Sequence, residues 1–256
     1  MGKGNVDVIR SSFMPTLPLV GDTALQGEAL LNTNKRIQII NKWLGVNSQV
    51  VLNCDHPSVH AYFKGNAKNC ASLINTTTKM HRNAGRKVVT VSPFNEPDYS
   101  ATGQGTIDDF YNIILELKKN PRFDTIRISG GNTLNNDVAL NWYNNLNPAG
   151  LNEGNTHQLA GNFGTYADFF QAVRATGDHA TNDELHNVME AMVGVEYGLQ
   201  TGIWWGTAEL TRGEFVKASD GRRLGYAEHR NNWTSASVYR APGGNVKAFL
   251  GCSERQ

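Results

Sequence analysis

The sequence predicts an α/β fold of the (β/α)8 barrel type, and three observations carry that prediction. Short β-branched runs alternate with longer amphipathic stretches along most of the chain, which implies parallel strands joined by crossover helices. Polar, chemistry-bearing residues stand at the C-terminal end of almost every such run. No dinucleotide fingerprint or P-loop follows an early strand, and the SGGN at 129–132 reads as a plain turn, which disfavours an open doubly wound sheet. A chain of 256 residues also suits one barrel unit.

The elements follow in order. A strand at 6–13 (VDVIRSSF) precedes a helix at 27–44, in which Leu30, Ile37, Ile40 and Leu44 recur at helical spacing. A strand at 49–54 (QVVLNC) precedes a helix at 67–83. The strand at 87–92 (KVVTVS) leads to a helix at 107–119 whose Ile107, Phe110, Ile114 and Leu117 form one stripe. Asp108 and Asp109 open that helix and Lys118 and Lys119 close it, as the helix dipole favours. TIRIS at 125–129 precedes a helix at 138–146, and NTHQL at 155–159 precedes one at 166–176. ELHNVMEAM at 184–192 reads as the next strand, before a short helix reaching Gln200. GIWWGT at 202–207 is the last barrel strand, before a final helix near 228–239. After Tyr239 a Pro-Gly-Gly turn leads into a strand with Val246, Ala248 and Leu250 alternating.

Composition narrows the ligand. Lys plus Arg total 24 and Asp plus Glu 23, a net charge of +1, so no global field favours nucleic acid or an anionic membrane. The 28 asparagines suit turns and a polyol ligand. Cys54, Cys70 and Cys252 show neither zinc nor redox spacing, so buried thiols are expected. No apolar run is long enough to span a membrane, and the first residues are too polar for a signal peptide. Both ends read as cut, with a strand starting almost at once and another under way at the close.

In a barrel every strand opens its C-terminal end onto one face. Arg10, Asp55 with His56, Asn95 with Glu96, Asn132, His157 with Gln158, Glu190, and Trp204 with Trp205 are therefore expected to converge on one pocket. His56 and Asp55 lack a third ligand at compact spacing, so no metal is expected, and nothing calls for a cofactor.

FNEPDY, with Asn95, Glu96 and Pro97 closing the VVTVSP strand, resembles the Asn-Glu-Pro signature of the clan A glycoside hydrolases. The resemblance implies that this is barrel strand four and that Glu96 is the acid/base. A nucleophilic glutamate then ends strand seven, and Glu190, 94 residues on, fits at roughly thirty residues per unit. Glu196 and Glu209 are weaker candidates. Arg10, His56, His157 and Trp204 match the family's residues ending strands two, three, six and eight, so the chain holds strands two to eight without the first. The resemblance further implies an accessory β-rich domain, giving a division of 1–240 for the barrel and 241–256 for that domain's first strand.

The chemistry explains the pair. Two carboxyls about 5–5.5 Å apart cleave an acetal with retention through a covalent glycosyl-enzyme. Glu96 is expected to be protonated, Glu190 to stay ionised beside Arg10, and Asn95 to hydrogen-bond the sugar 2-hydroxyl. Adjacent strand residues point opposite ways, so one tryptophan stacks on sugar, and Trp204 is the choice. The implied activity is double-displacement hydrolysis of a β-linked glycan such as β-glucan, galactan, mannan or xylan. The protein is expected to be a monomer, extracellular or periplasmic, with an oligo- or polysaccharide as partner. Two alternatives remain: a non-catalytic carbohydrate-binding barrel, which needs neither glutamate, and a barrel lyase or isomerase, which wants a strand-end lysine or a metal cluster.

Overall fold

A computed structural model describes residues 6–56, 58–101 and 103–252. Seven parallel strands pair in chain order into a nearly closed barrel: β1 (Val8–Ser12), β2 (Gln49–Asn53), β3 (Val88–Ser92), β4 (Arg127–Asn135), β5 (Glu153–Ala160), β6 (His179–Leu185) and β7 (Thr201–Trp204). Helices α1 (Gly27–Trp43), α2 (Ala67–Asn83), α3 (Ile107–Lys118), α4 (Ala139–Leu146), α5 (Phe163–Ala175) and α6 (Val188–Tyr197) connect them, and α7 (Leu210–Ser219) follows β7. β1 and β7 approach across a seam with no ladder between them among the described residues.

The two halves of the barrel are built differently. β2 and β3 are apolar runs buried on both faces, with Val50, Val51, Leu52, Val88, Val89 and Val91 shielded by neighbouring strands and helices. In β4 to β6 the buried side chains are largely polar, including Thr133, Asn155, Thr156, Thr181 and Asn182. Partners offset their desolvation: the Thr133 and Thr156 hydroxyls lie 2.8 Å apart, and Asn182 Nδ2 donates to the Tyr166 hydroxyl at 2.9 Å. α3 carries the expected stripe, burying Phe110, Ile114 and Leu117, and Thr106 and Asp109 close a capping box at its start.

Of the strand expected at 184–192, only Glu184 and Leu185 are in a strand. The strand is the polar stretch β6, and α6 starts three residues after it ends. Asn187 Oδ1 accepts from the Glu190 backbone N–H at 3.0 Å, while the Glu190 carboxylate accepts from His186 N–H at 2.8 Å and from Asn187 Nδ2 at 2.7 Å. That reciprocal cap starts a helix, and Gly198, at φ 111°, ends it in the left-handed conformation. Val188, Met189, Ala191, Met192 and Val193 imitate a buried strand because α6 is enclosed nearly all round. Glu190→Ala empties a buried site and leaves two half-buried donors without their acceptor, and is expected to cost about 3 kcal/mol of stability. Urea unfolding measures this, and Glu190→Gln, which keeps one acceptor, is expected to lose less.

The helix expected near 228–239 is likewise absent. β8 (Arg222–His229) and β9 (Thr234–Arg240) form an antiparallel hairpin, and β10 (Val246–Cys252) pairs on the far side of β9. The strand expected after Tyr239 exists, but in a sheet that begins at Arg222 rather than at 241. Tyr239 and Phe249 pack with Leu185, Val188, Met192 and Phe215 in a second, smaller core. Gly251 permits this docking, since a Cβ there would sit 2.9 Å from Met189 Cβ. Cys54 is buried and Cys252 exposed, against the expectation for the latter, and all three thiols are free. No helix among the described residues is long and apolar enough to cross a membrane.

Candidate active site

The site lies at the C-terminal ends of the strands. Pairing between β6 and β7 shifts register between Asn182 and Leu185. On a regular strand neighbouring side chains point to opposite faces, and a bulge re-aims them. Here Asp183 and Glu184 both reach Arg10 of β1: Nη1 is 3.6 Å from Asp183 Oδ1 and 3.0 Å from Glu184 Oε2, while Nη2 is 3.0 Å from Asp55 Oδ2. Glu96 follows β3 at φ 50°, and its N–H donates to Asn132 O at 2.8 Å. A left-handed non-glycine residue costs on the order of 1–3 kcal/mol, a strain typical of functional loops.

His157 joins these groups. Its Nδ1 is 3.0 Å from Glu96 Oε1 and 3.7 Å from Glu184 Oε2, and its Nε2 is 2.9 Å from Asp183 Oδ1. Burial alone would depress its pKa, but hydrogen bonds to Asp183 and Glu96 and the charges of Asp183 and Glu184 raise it to about 9. Burial pushes the Asp183 carboxyl up, yet Arg10 and His157 prevail and hold it well below the ordinary range. Burial raises Glu184, with the charges of Glu96 and Asp183 adding to it against His157 and Arg10.

Glu96, His157 and Glu184 each place one polar atom within 4.8 Å of the others. Three such side chains could offer metal ligands. However, an imidazole with both nitrogens turned to carboxylates has no lone pair to give, and the Arg10 cation already sits on Glu184.

Arg10, Asp55, Glu96 and His157 thus come together as the sequence suggested, with Asn95 beside them, its Oδ1 accepting from Asn53 Nδ2 at 2.9 Å. Gln158 is buried next to His157 on β5. Asn132 is wholly buried, and its Nδ2 donates to Ser92 Oγ and Phe94 O, bracing the loop that carries Glu96. The ring of His56 is turned to Ser58, with Nδ1 3.0 Å from its carbonyl oxygen. Glu190 sits in the cap of α6 rather than at a strand end. Glu196 pairs with Arg223 at 2.5 Å, and Glu209 precedes α7. Trp204 packs against the second core with the Arg212 guanidinium 5.4 Å from its ring. Trp205 is half exposed, and its ring stands 5.4 Å from the Arg10 guanidinium. A cavity of about 630 Å³ runs from here along the β1/β7 seam, lined by Arg10, Asp55, Asp183, Ile203 and both tryptophans.

Asp183, Glu184 and Asn53 escaped the sequence reading. The signal for the first two was Asn187 followed by Glu190 three residues later, ahead of an apolar run, which marks a helix start and pushes the strand back onto NDEL.

The buried histidines set opposing pH trends. His157, raised to about 9, stabilises the fold below its unfolded value of about 6.5 and loses that contribution as pH climbs through 9. Burial, with nearby arginines, lowers His81 and His179 to about 4 each, so their contribution is present above about 6.5 and fades as pH falls toward 4. Urea midpoints are expected to peak near pH 6.5. Midpoints still rising at pH 9 would contradict a charged His157.

The nearly closed parallel barrel, with polar residues at its mouth, is similar in fold to solved glycoside hydrolases. Among solved structures, a glycoside hydrolase family 30 subfamily 8 xylanase from Clostridium acetobutylicum superposes with a TM-score of 0.56 at 15% identity, over 91% of this chain and 70% of that one. An endo-β-1,6-glucanase gives 0.56 at 13% identity, over 97% and 76%. A family 30 endoxylanase from Clostridium papyrosolvens C71 gives 0.53 at 14% identity, over 91% and 71%. At such identities the likeness is one of fold. No family model matches the chain, and no curated protein sequence does.

Proposed function

We propose that this chain is a retaining glycoside hydrolase of the clan A type, with Glu96 as acid/base and Glu184 as nucleophile. The observation that carries the reading is the approach of the two carboxylates: a Glu96 oxygen and a Glu184 oxygen lie within 4.8 Å at the barrel mouth. An inverting pair stands about 6.5–9.5 Å apart to admit a water, whereas a retaining pair is closer.

In the first step the Glu184 carboxylate attacks the anomeric carbon as Glu96 protonates the departing glycosidic oxygen, leaving a glycosyl ester on Glu184. In the second, Glu96 takes a proton from water, whose oxygen attacks the same carbon and releases Glu184. Arg10 steadies the ionised Glu184, Asn95 bonds the 2-hydroxyl, and the face of Trp205 stacks on a sugar ring. Two solved structures that share this fold bear the names xylanase and endo-β-1,6-glucanase, which supports a β-linked polymer such as xylan or β-glucan as substrate, and a polymer too large to cross a membrane favours action outside the cytoplasm. An activated 2-deoxy-2-fluoro-β-glycoside traps the nucleophile, and peptide mass locates it. Label is expected on Glu184. Label on Glu190, or turnover of glycan with no label at all, overturns the assignment.

A further inference from the structure

We infer that Asp183 is a positioning residue that fixes the charge of His157 and thereby decides which oxygen of Glu96 carries the catalytic proton; this rests on the hydrolase reading above. The Asp183 carboxylate is wholly buried and held from three strands. Oδ1 faces His157 Nε2 at 2.9 Å and Arg10 Nη1 at 3.6 Å, and Oδ2 accepts from Asn53 Nδ2 at 3.3 Å. An ionised carboxylate only accepts, so Nε2 carries a hydrogen. With Asp183 neutralised, Arg10 still holds an acceptor oxygen toward Nε2, so the ring becomes the neutral Nε2–H tautomer whose Nδ1 accepts, and the Glu96 proton is drawn to Oε1, 3.0 Å away and facing the ring. With Asp183 charged, Nδ1–H donates to Oε1 and the acid proton resides on Oε2. The same Nδ1–H serves Glu96 in both of its protonation states, so one arrangement supports both steps.

The groups facing the ring are Glu96, with Asp98 beyond it, Asp183 and Glu184 from β6, and Arg10 from β1 with Asp55 behind. His186 lies on the far side of Glu184, 3.7 Å from Oε1.

Asp183→Asn keeps the shape and removes the charge. Nitrogen-15 spectra of the His157 ring at pH 7.5 are expected to show both nitrogens protonated in the wild type and a neutral ring in the variant. Cleavage of a glycan, whose alkoxide needs a proton to leave, is expected to fall about 10²-fold, with far less loss on an aryl glycoside whose phenolate leaves unaided. Asp183→Glu restores the charge and is expected to restore the protonated ring. A neutral ring in the wild type overturns the inference, whether or not the variants fold. So does a protonated ring in Asp183→Asn with equal losses on both substrates. Failure of the hydrolase reading looks different: the wild type cleaves no glycoside while the ring spectra stand.

Discussion

Glu184→Ala is expected to lower glycan hydrolysis by on the order of 10⁴-fold or more, because it removes the group that forms the covalent intermediate. The fold should survive the change. Arg10 keeps Asp55 and Asp183 as partners, at 3.0 and 3.6 Å, so no buried cation is left bare. Added azide offers a discriminating readout. In the cavity left by Glu184 it attacks the anomeric carbon from the nucleophile's side, and the product is the α-glycosyl azide. Retention of activity within about tenfold, little more than 1 kcal/mol of barrier, would exclude Glu184 from bond formation.

Glu96→Ala is the second large effect, and it depends on the substrate. Loss of a general acid and base costs about 10²–10⁴-fold where the leaving group needs a proton. Aryl glycosides of acidic phenols are expected to form the glycosyl-enzyme almost normally and then stall, giving a burst of phenol followed by a slow steady state. Azide then attacks the intermediate from the opposite face and yields the β-glycosyl azide. Opposite products from the two variants assign the two roles without reference to rate. A uniform loss across leaving groups would show that Glu96 supports the site without transferring a proton.

Much of this molecule was legible because buried apolar residues repeat with the period of their element. VVTVS at β3 and the stripe of α3 are of that kind. Glu96, Arg10 and His157 were legible in the same way, as polar residues at or beyond a strand core. HATNDEL defeated the method because β6 meets its burial through hydrogen bonds, leaving only Ala180 and Leu185 apolar. VMEAMV defeated it in the other direction, since a helix enclosed on nearly all sides has no polar face to reveal its period. β8 and β9 were misread because one face of that hairpin carries Ser235 and Ser237, so alternation in burial is not alternation in hydropathy.

The order of amino acids alone determined a barrel of repeating βα units, a polar mouth, and a glutamate after the third described strand that carries the Asn-Glu-Pro resemblance. Only the tertiary structure decided which carboxylate stands opposite it. Glu184, Glu190 and Glu196 differ little as residues in a string. A bulge in β6, a cap on α6 and an ion pair with Arg223 send them to three different places, and two carboxyls act together only when brought within a few ångströms in a site that excludes most water.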